Sequence, residues 1–539
     1  MRLIKQQQAL KDMMMKPTLV ALVVSQALIL PQAMAADSTE KSIDDLKRQL
    51  AEVTEELEYL SERVDKPESH AATDRVLITG DFRTKAHSLH YQDVVWSPGL
   101  TVATPMGRMP MSMNGPGFVP TAQDIDNDVF YTTRLRLNLK AKVWENVSFA
   151  GRLTMFKSWG DSTEVNVFDS WNSFTMDGTS SGHPNGDTVR VERAYFDWKN
   201  IGGTEFYLSV GRRPSSYGYP TNFRENELRG GTPSGHLVNF NFDGATIGYH
   251  TEHLTGMEGQ VVRFCYGQGY ESQWGNGELF GNTSVDDVHL GGFNIDILND
   301  GTNFLQFILF GAKDVADGFK GTMSMPDELL AMFGQDGMGN VTPVVRYQPS
   351  TNIGDIYLSG LTFVREEDNG VKWFTSLGWT RTDPNGNFGM FGGLNNDPLY
   401  QMLSQTEVDP NPIGTTDNEA HDGYSIYAGI QIPVGDGKFG LEYNYGSKYW
   451  TPFTQAQDDP IGSKLATRGH AYEGYYIHDI NPKMFVKFAA LYYDFEYTGS
   501  GSPVGAPQNI DEVLAGQAFS MLPAMDTAFD VNASITVKF

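Results

Sequence analysis

Apolar and polar side chains alternate with a period of two along most of this chain, from Val76 to its last residue. Such alternation places the two sets of side chains on opposite faces of a β-strand. The clearest predicted hairpin covers residues 131–159, and its apolar face is bracketed by Tyr131, Trp144 and Trp159. Aromatic residues at both ends of an apolar face are typical of strands that cross a membrane as part of a β-barrel.

The connections between the alternating segments are short polar turns and long Gly-, Pro- and Asp-rich segments, in strict succession. This asymmetry is typical of outer-membrane barrels, and an even number of strands returns both ends of the sheet to the same side. The Asp243-Gly244 pair is a hairpin signal, but a hairpin there would break the succession, so residues 213–243 are assigned to the third long segment. We predict an all-β fold, a transmembrane antiparallel β-barrel of about 16 strands over residues 68–539. The predicted strands are 76–90, 129–143, 147–159, 188–199, 204–212, 244–251, 260–268, 288–298, 304–313, 353–365, 371–382, 422–433, 438–448, 469–479, 484–498 and 525–539.

Ahead of the barrel, apolar residues recur at alternating spacings of three and four, which is the a/d pattern of a coiled coil. They are Ile43, Leu46, Leu50, Val53, Leu57, Leu60 and Val64. We predict a short coiled-coil helix in a periplasmic segment over residues 36–67, ended by Pro67. A single amphipathic helix packed on its own barrel remains an alternative, and the pattern does not fix the number of helices that associate.

Residues 1–35 have the features of a signal peptide. The apolar run at 18–30 is shorter than the roughly 20 residues that a spanning helix needs. Lys11 and Lys16 precede it, and a small-x-small site ending at Ala35 follows it. We therefore predict export to the outer membrane of a Gram-negative cell, with the N-terminal segment in the periplasm and the long loops outside.

Composition narrows the function classes. The mean hydropathy of −0.35 argues against a helical membrane bundle, and the net charge of −26 argues against nucleic-acid binding, because phosphates would be repelled. The one cysteine, Cys265, excludes an internal disulfide and Cys-rich metal or haem sites. Residues 124–128 have acids at alternate positions, as in a calcium loop, but lack the later Gly and Glu of that motif, so we interpret them as a solvated loop. We predict neither a metal nor a cofactor.

Several short motifs resemble those of bacterial porins. These are Arg134-Leu135-Arg136-Leu137, Gly151-Arg152-Leu153 and the segment from Arg193 to Trp198 that precedes Val210–Pro214. Three others are similar to a porin-like family catalogued only as a domain of unknown function: Gly211-Arg212-Arg213-Pro214, Phe264–Glu271 and Lys448-Tyr449-Trp450. The resemblance implies passive transport across the outer membrane and carries no known substrate.

The same resemblance carries further expectations. In classical porins the third loop narrows the barrel, which would place residues 213–243 in the lumen. The last alternating strand ends at Phe539 and looks like the terminal strand that the barrel-assembly machinery reads. A homotrimer formed through the barrel wall and residues 43–64 is the porin-like expectation, with membrane lipid around it.

The residues opposite the lipid-facing set would line the lumen. Our candidates for the lining or the constriction are Arg83, Arg134, Arg136, Arg152 and Arg193 on strands, and Arg213, Arg224, Glu225, Glu227 and Arg229 on the third loop. Arginine rings would favour anions, whereas facing acids and bases would favour small polar solutes. Alternatively, these arginines pair with loop acids and select nothing.

We therefore predict a porin that passes small hydrophilic solutes or ions by passive diffusion, and not an enzyme. One alternative is a structural or adhesion barrel with a closed lumen. Another is an outer-membrane hydrolase, which would need a Ser/His/Asn or acidic cluster that the sequence does not assemble.

Overall fold

The computed structural model describes residues 76–95, 100–104, 107–112, 115–116, 122–161, 186–274, 285–323, 344–389, 392–396, 417–454, 458–515, 517–518 and 524–539. The predicted signal peptide and the predicted coiled coil lie outside the described residues. Within the described part, no helix has the length and apolar character required to span a membrane.

Sixteen strands form one closed antiparallel barrel, which confirms the predicted fold class and strand count. Consecutive barrel strands are neighbours throughout, and the first strand pairs with the last to close the sheet, with Asp81 opposite Lys538 and Ala86 opposite Ala533. The strands are β1 Val76–Val94, β2 Gln123–Trp144, β3 Val147–Ser158, β4 Arg190–Trp198, β5 Phe206–Arg212, β6 Asp243–His250, β7 Val261–Tyr270, β8 Val288–Asn299, β9 Asn303–Ala316, β10 Asn352–Glu366, β11 Lys372–Pro384, β12 His421–Val434, β13 Gly437–Gly446, β14 Gly469–Asn481, β15 Met484–Phe495 and β16 Thr527–Lys538.

Short elements lie outside the barrel sheet. Four-residue and five-residue helices occupy Glu252–Thr255 and Ile510–Leu514, and 3-10 turns occupy Ile201–Gly203 and Lys464–Ala466. Small sheets join Leu100–Thr104, Gly107–Ser112 and Gly115–Pro116, Phe319–Met323 with Val344–Tyr347, and Val238–Asn239 with Phe453–Thr454.

The apolar side chains of the alternating pattern lie on the outer face of the barrel, and the polar side chains lie on its inner face. In β16, Val531 and Ile535 are exposed on the outer wall, whereas Asn532 and Thr536 are buried inside. In β1, Phe82 is exposed between the buried Asp81 and Arg83. A continuous apolar outer surface of this kind needs an apolar surrounding, because water-soluble proteins rarely leave so much apolar area exposed.

The facing ends of β1 and β2 were predicted too short. Residues 124–128, interpreted as a solvated loop, lie in β2, which begins at Gln123. They pair with the end of β1, where His90 lies opposite Asp126 and its Nδ1 is 2.6 Å from the Asp126 carboxylate. Cross-strand pairing therefore continues between β1 and β2 beyond the residues whose apolar alternation predicted these two strands.

The long segments at one end of the barrel are here called the long-loop end, and the opposite end is the short-turn end. Among the described residues, the third loop (residues 213–242) and the seventh loop (described at residues 447–454 and 458–468) run inside the barrel. They pair with each other through parallel bridges between Val238–Asn239 and Phe453–Thr454. Leu237, Phe240 and Trp450 pack with wall residues into one buried apolar cluster. The apolar core thus lies between the loops and the inner wall at the long-loop end.

Candidate functional site

The charged side chains of β1 and β2 point into the barrel and meet acids carried by the two inner loops. The guanidinium of Arg83 lies 3.1 Å from the Glu225 carboxylate and 3.2 Å from that of Asp458. Arg134 also binds Asp458 and lies 3.4 Å from Glu227. The third and seventh loops are therefore tied to the same patch of wall by shared ion pairs.

Arg136, which is two residues further along β2, repeats this arrangement nearer the short-turn end. Its Nε donates to Asp81 at 2.9 Å, and its Nη2 binds Glu227. The ring of Tyr217, from the third loop, lies 5.5 Å from the guanidinium carbon of Arg136. The loop thus contacts Arg136 through both charge and an aromatic face.

Arg224 of the third loop contacts the seventh loop and β14, which is separated from β1 only by β16 and β15. Its two terminal nitrogens donate to Asp459 at 2.9 Å each, and its Nε lies 2.6 Å from Glu473. Such two-point contacts fix both distance and orientation.

Two lysines complete this side of the network. Lys464 of the seventh loop binds Glu442 of β13 and lies 2.5 Å from Glu473. Lys487 of β15 lies 3.1 Å from the other oxygen of Glu473. The charged contacts therefore extend from β2, through both loops, to β13, along one sector of the barrel wall.

We call this set the lumen network. It contains seven basic and seven acidic residues: Arg83, Lys85, Arg134, Arg136, Arg224, Lys464 and Lys487, with Asp81, Glu225, Glu227, Glu442, Asp458, Asp459 and Glu473. All except Glu227 are at most 8% exposed. Side chains around an open aqueous pore would be accessible to water. Gln306 on β9 and Ser376 on β11, which lie on the other side of the barrel, are also buried and contact the third loop. The described loops therefore occlude the barrel at this level.

The ten residues predicted to line or constrict the lumen all point into the barrel or lie on the loop inside it. Arg83, Arg134, Arg136, Arg224, Glu225 and Glu227 meet in the lumen network. Arg152 lies beside it, 3.2 Å from Glu192 on β4. Arg193 donates to the backbone oxygens of Gly230 and Ser216 at 3.0 and 3.1 Å.

The remaining two predicted residues serve separate contacts. Arg213 donates to the hydroxyl of Ser209 at 2.9 Å and also binds Thr246, at the base of the third loop. Arg229 shares the carboxylate of Asp296 with Arg263, at 3.2 and 2.8 Å. These contacts anchor the start and the tip of the third loop to different parts of the wall.

The sequence analysis missed the seventh loop as a contributor. Asp458, Asp459 and Lys464 lie in a segment that was interpreted as an ordinary long loop. One signal could have revealed them, because buried arginines on β1 and β2 require acids to neutralise them, and few acids face inward on those strands.

Two loop acids of the network, Glu225 and Asp458, stay ionised. Burial by itself would raise the pKa of Glu225, but Arg83, Lys487 and Arg224 outweigh that effect and hold this pKa well below its usual range. Burial likewise opposes the charge of Asp458, and Arg134 and Arg83 still lower its pKa. The contacts of these two carboxylates with Arg83 and Arg134 are therefore full ion pairs at neutral pH.

An acid–histidine–hydroxyl chain, such as a hydrolase would use, does occur inside the barrel. His87 lies 3.1 Å from the Asp530 carboxylate through Nδ1 and 3.2 Å from the Thr132 hydroxyl through Nε2. All three residues are only 1% exposed, so no substrate carbonyl can approach Thr132. Because they belong to β1, β16 and β2, they join the strands at the closure of the barrel.

The described residues also contain no cluster of His, Cys, Asp and Glu that could hold a metal ion.

Comparison with solved structures finds similar chains at low identity. The trimer form of in-vitro folded OmpT from Vibrio cholerae is 11% identical, with a TM-score of 0.39, covering 86% of this chain and 99% of that chain. The anion-selective porin from Comamonas acidovorans is 12% identical, with a TM-score of 0.41 and the same two coverages. OprB from Pseudomonas putida is 10% identical, with a TM-score of 0.38, covering 86% of this chain and 94% of that chain.

No curated protein sequence matches the chain. Residues 124–539 match the family described as "Protein of unknown function (DUF3373)". This stretch covers most of the barrel, and the chain therefore belongs to this family.

Proposed function

We propose that the protein is an outer-membrane porin in an occluded state, which passes small hydrophilic solutes or ions when its inner loops move. The observation that carries this proposal is the closed barrel of sixteen strands, with an apolar outer wall and charged side chains inside. Barrels of 16–18 strands are wide enough for an aqueous channel. The lumen of this barrel is filled by loops and not by wall side chains alone.

The two inner loops are attached in a way that allows them to move. Their only described strand pairing is the short bridge to each other, and the barrel ladder does not include it. They are held to the wall by side-chain contacts such as Arg83–Glu225 and Arg224–Glu473. A rearrangement that exchanges these ion pairs for water would open a passage without breaking a barrel strand.

Conductance in planar lipid bilayers tests this proposal. Purified full-length protein should insert and give discrete current steps, and reversal potentials in a salt gradient would report the preferred sign of charge. A barrel that inserts but gives no current, both as wild type and after the loop substitutions described in the Discussion, would contradict the porin function.

A structural or adhesion barrel with a permanently closed lumen is the second candidate. The burial of nearly the whole lumen network favours it, because such a network rigidifies the interior. It differs from the porin in one measurable respect, since loosening the loops would then lower stability without creating a conductance.

The remaining assignments belong to the same proposal. We place the short turns in the periplasm and the long loops outside the cell, and we propose recognition of the terminal strand at Phe539 by the barrel-assembly machinery. A homotrimer through the barrel wall would use a shallow apolar depression of about 510 Å³ on the outer face, where Ala86, Gly474, Ala490 and Ala533 are all small. The mass of the detergent-purified protein, measured by light scattering, would show whether three copies associate.

The occluded state should be insensitive to mild acid. The pKa values of Glu225 and Asp458 are lowered in the folded protein, so their contribution is fully present above the unfolded carboxyl pKa of about 4 and is lost only as the pH falls through the lowered values. We expect the bilayer conductance to stay constant from pH 7 down to about pH 4 and to rise only below it. A rise near pH 6 would contradict this and would point to a histidine.

A further inference from the structure

A cavity of about 540 Å³ lies inside the short-turn end of the barrel. Its walls come from the first four strands and β16, and its roof is the tip of the third loop at residues 227–230. Its volume lies within the usual range for small-molecule sites. We call it the vestibule.

Basic side chains outnumber acidic ones in the vestibule, although the protein as a whole carries a net charge of −26. The basic residues that line it are Arg136, Lys140, Arg152, Arg193, Arg229 and Lys538, and the acidic side chains are Asp81 and Glu227. The carboxylate of Phe539 and the nearby Glu192 reduce the excess without cancelling it. This differs from the lumen network above it, where acids and bases balance.

Several of these basic groups retain unused capacity to bind an anion. Lys140 is exposed and has no ion-pair partner among the described residues. Lys538 donates to the backbone oxygen of Asn226 at 3.0 Å and contacts no described carboxylate. Within the described structure, Nη1 of Arg136 is buried without a hydrogen-bond partner. A buried guanidinium nitrogen left in this state is costly unless a ligand or water satisfies it.

We propose that the vestibule binds a small oxyanion, a solute bearing a phosphate or carboxylate group, that reaches it from the short-turn end. Guanidinium groups match the geometry of such oxygens, and the two lysines add charge at the entrance. The inference rests on the proposed function, which it deepens by naming the class of solute, but the binding itself does not require the lumen to conduct.

The bound anion would also act on the loop that forms its roof. Arg136 and Arg134 hold the tip of the third loop through Glu227. An oxyanion at Arg136 would compete with the Glu227 carboxylate for the same guanidinium. The site therefore lies where a solute could loosen the occluding loop before it passes.

The test is calorimetric titration of inorganic phosphate, and separately of succinate, into the detergent-solubilised full-length barrel at constant ionic strength. We expect saturable binding of at least one anion. Comparing the two affinities shows whether the site recognises a phosphate or a carboxylate group. The double substitution Lys140→Gln with Lys538→Gln should weaken that binding about tenfold, because two charged contacts are lost. Lys140→Gln alone, on an exposed side chain, should give part of this loss.

The matched control is Lys199→Gln, which removes the same charge at the same end of the barrel but from a neighbouring cavity. Phosphate and succinate affinities should be unchanged in this variant. The proposal is overturned if neither anion binds saturably, or if the control loses as much affinity as the double variant, because binding would then reflect diffuse charge. Neither result bears on the porin function, which the bilayer conductance tests separately.

Discussion

Replacing both Asp458 and Asp459 by Asn should raise the conductance of the barrel by at least about tenfold. These carboxylates neutralise Arg83 and Arg134 on one side and Arg224 on the other. Removing one member of a buried ion pair typically costs 3–5 kcal/mol, because the partner charge remains buried. Water entering around these buried arginines would relieve that cost, and a shift of only about 1.4 kcal/mol changes an open–occluded ratio tenfold.

Single-channel recordings in planar bilayers measure this effect as a change in open fraction or in step size. Asp436→Asn is the matched control, since it removes the same charge from an exposed short turn and should leave the recordings unchanged. Correct folding of the double variant can be verified by its retarded mobility on unheated gels. A folded variant with wild-type conductance would show that the loops do not govern the passage.

Trp450→Ala should cause the largest loss of stability of any single change in the seventh loop, about 3–5 kcal/mol as is usual for a buried aromatic. Its side chain is completely buried, and its indole nitrogen donates to the backbone oxygen of Leu465 at 2.8 Å. The ring fits against Gly378, where an added Cβ would lie 2.4 Å from it. The variant would lose both the packing that holds the loop against the wall and the hydrogen bond inside the loop.

Two measurements test the loss of stability and the release of the loop. On gels run after heating to increasing temperatures, the temperature at which the folded band is converted to the unfolded band should fall. Residues near 450–468 should also become accessible to added protease in detergent. Trp274→Ala provides the comparison, because this tryptophan is 92% exposed and its removal should change neither. Equal behaviour of the two variants would mean that Trp450 does not anchor the loop.

The barrel could be predicted from the sequence because each strand encodes its two faces independently. The period-two pattern in β2 or β16 needs no knowledge of its neighbours, and the succession of short and long connections then fixes the strand count. Even the Asp243-Gly244 signal was resolved correctly, since β6 begins at Asp243 and pairs with both β5 and β7.

The interior of the barrel could be predicted only in part, because the contacts there join residues that are far apart in sequence. Arg134 was identified as a lumen residue, but its partner Asp458 is 324 positions away in a loop without periodicity. Lys448-Tyr449-Trp450 was noted only as a family motif, and its packing role follows from the shape of the wall around Gly378. Pattern analysis gives the direction of a side chain, but not which distant loop covers it.

The parallel bridge between Val238–Asn239 and Phe453–Thr454 makes the third and seventh loops neighbours in one small sheet. Two segments joined in this way share a single displacement, so neither can leave the barrel alone without losing the bridge. Recordings from one protein should therefore show all-or-none transitions between two current levels. No intermediate level, such as withdrawal of one of the two loops would give, should be seen.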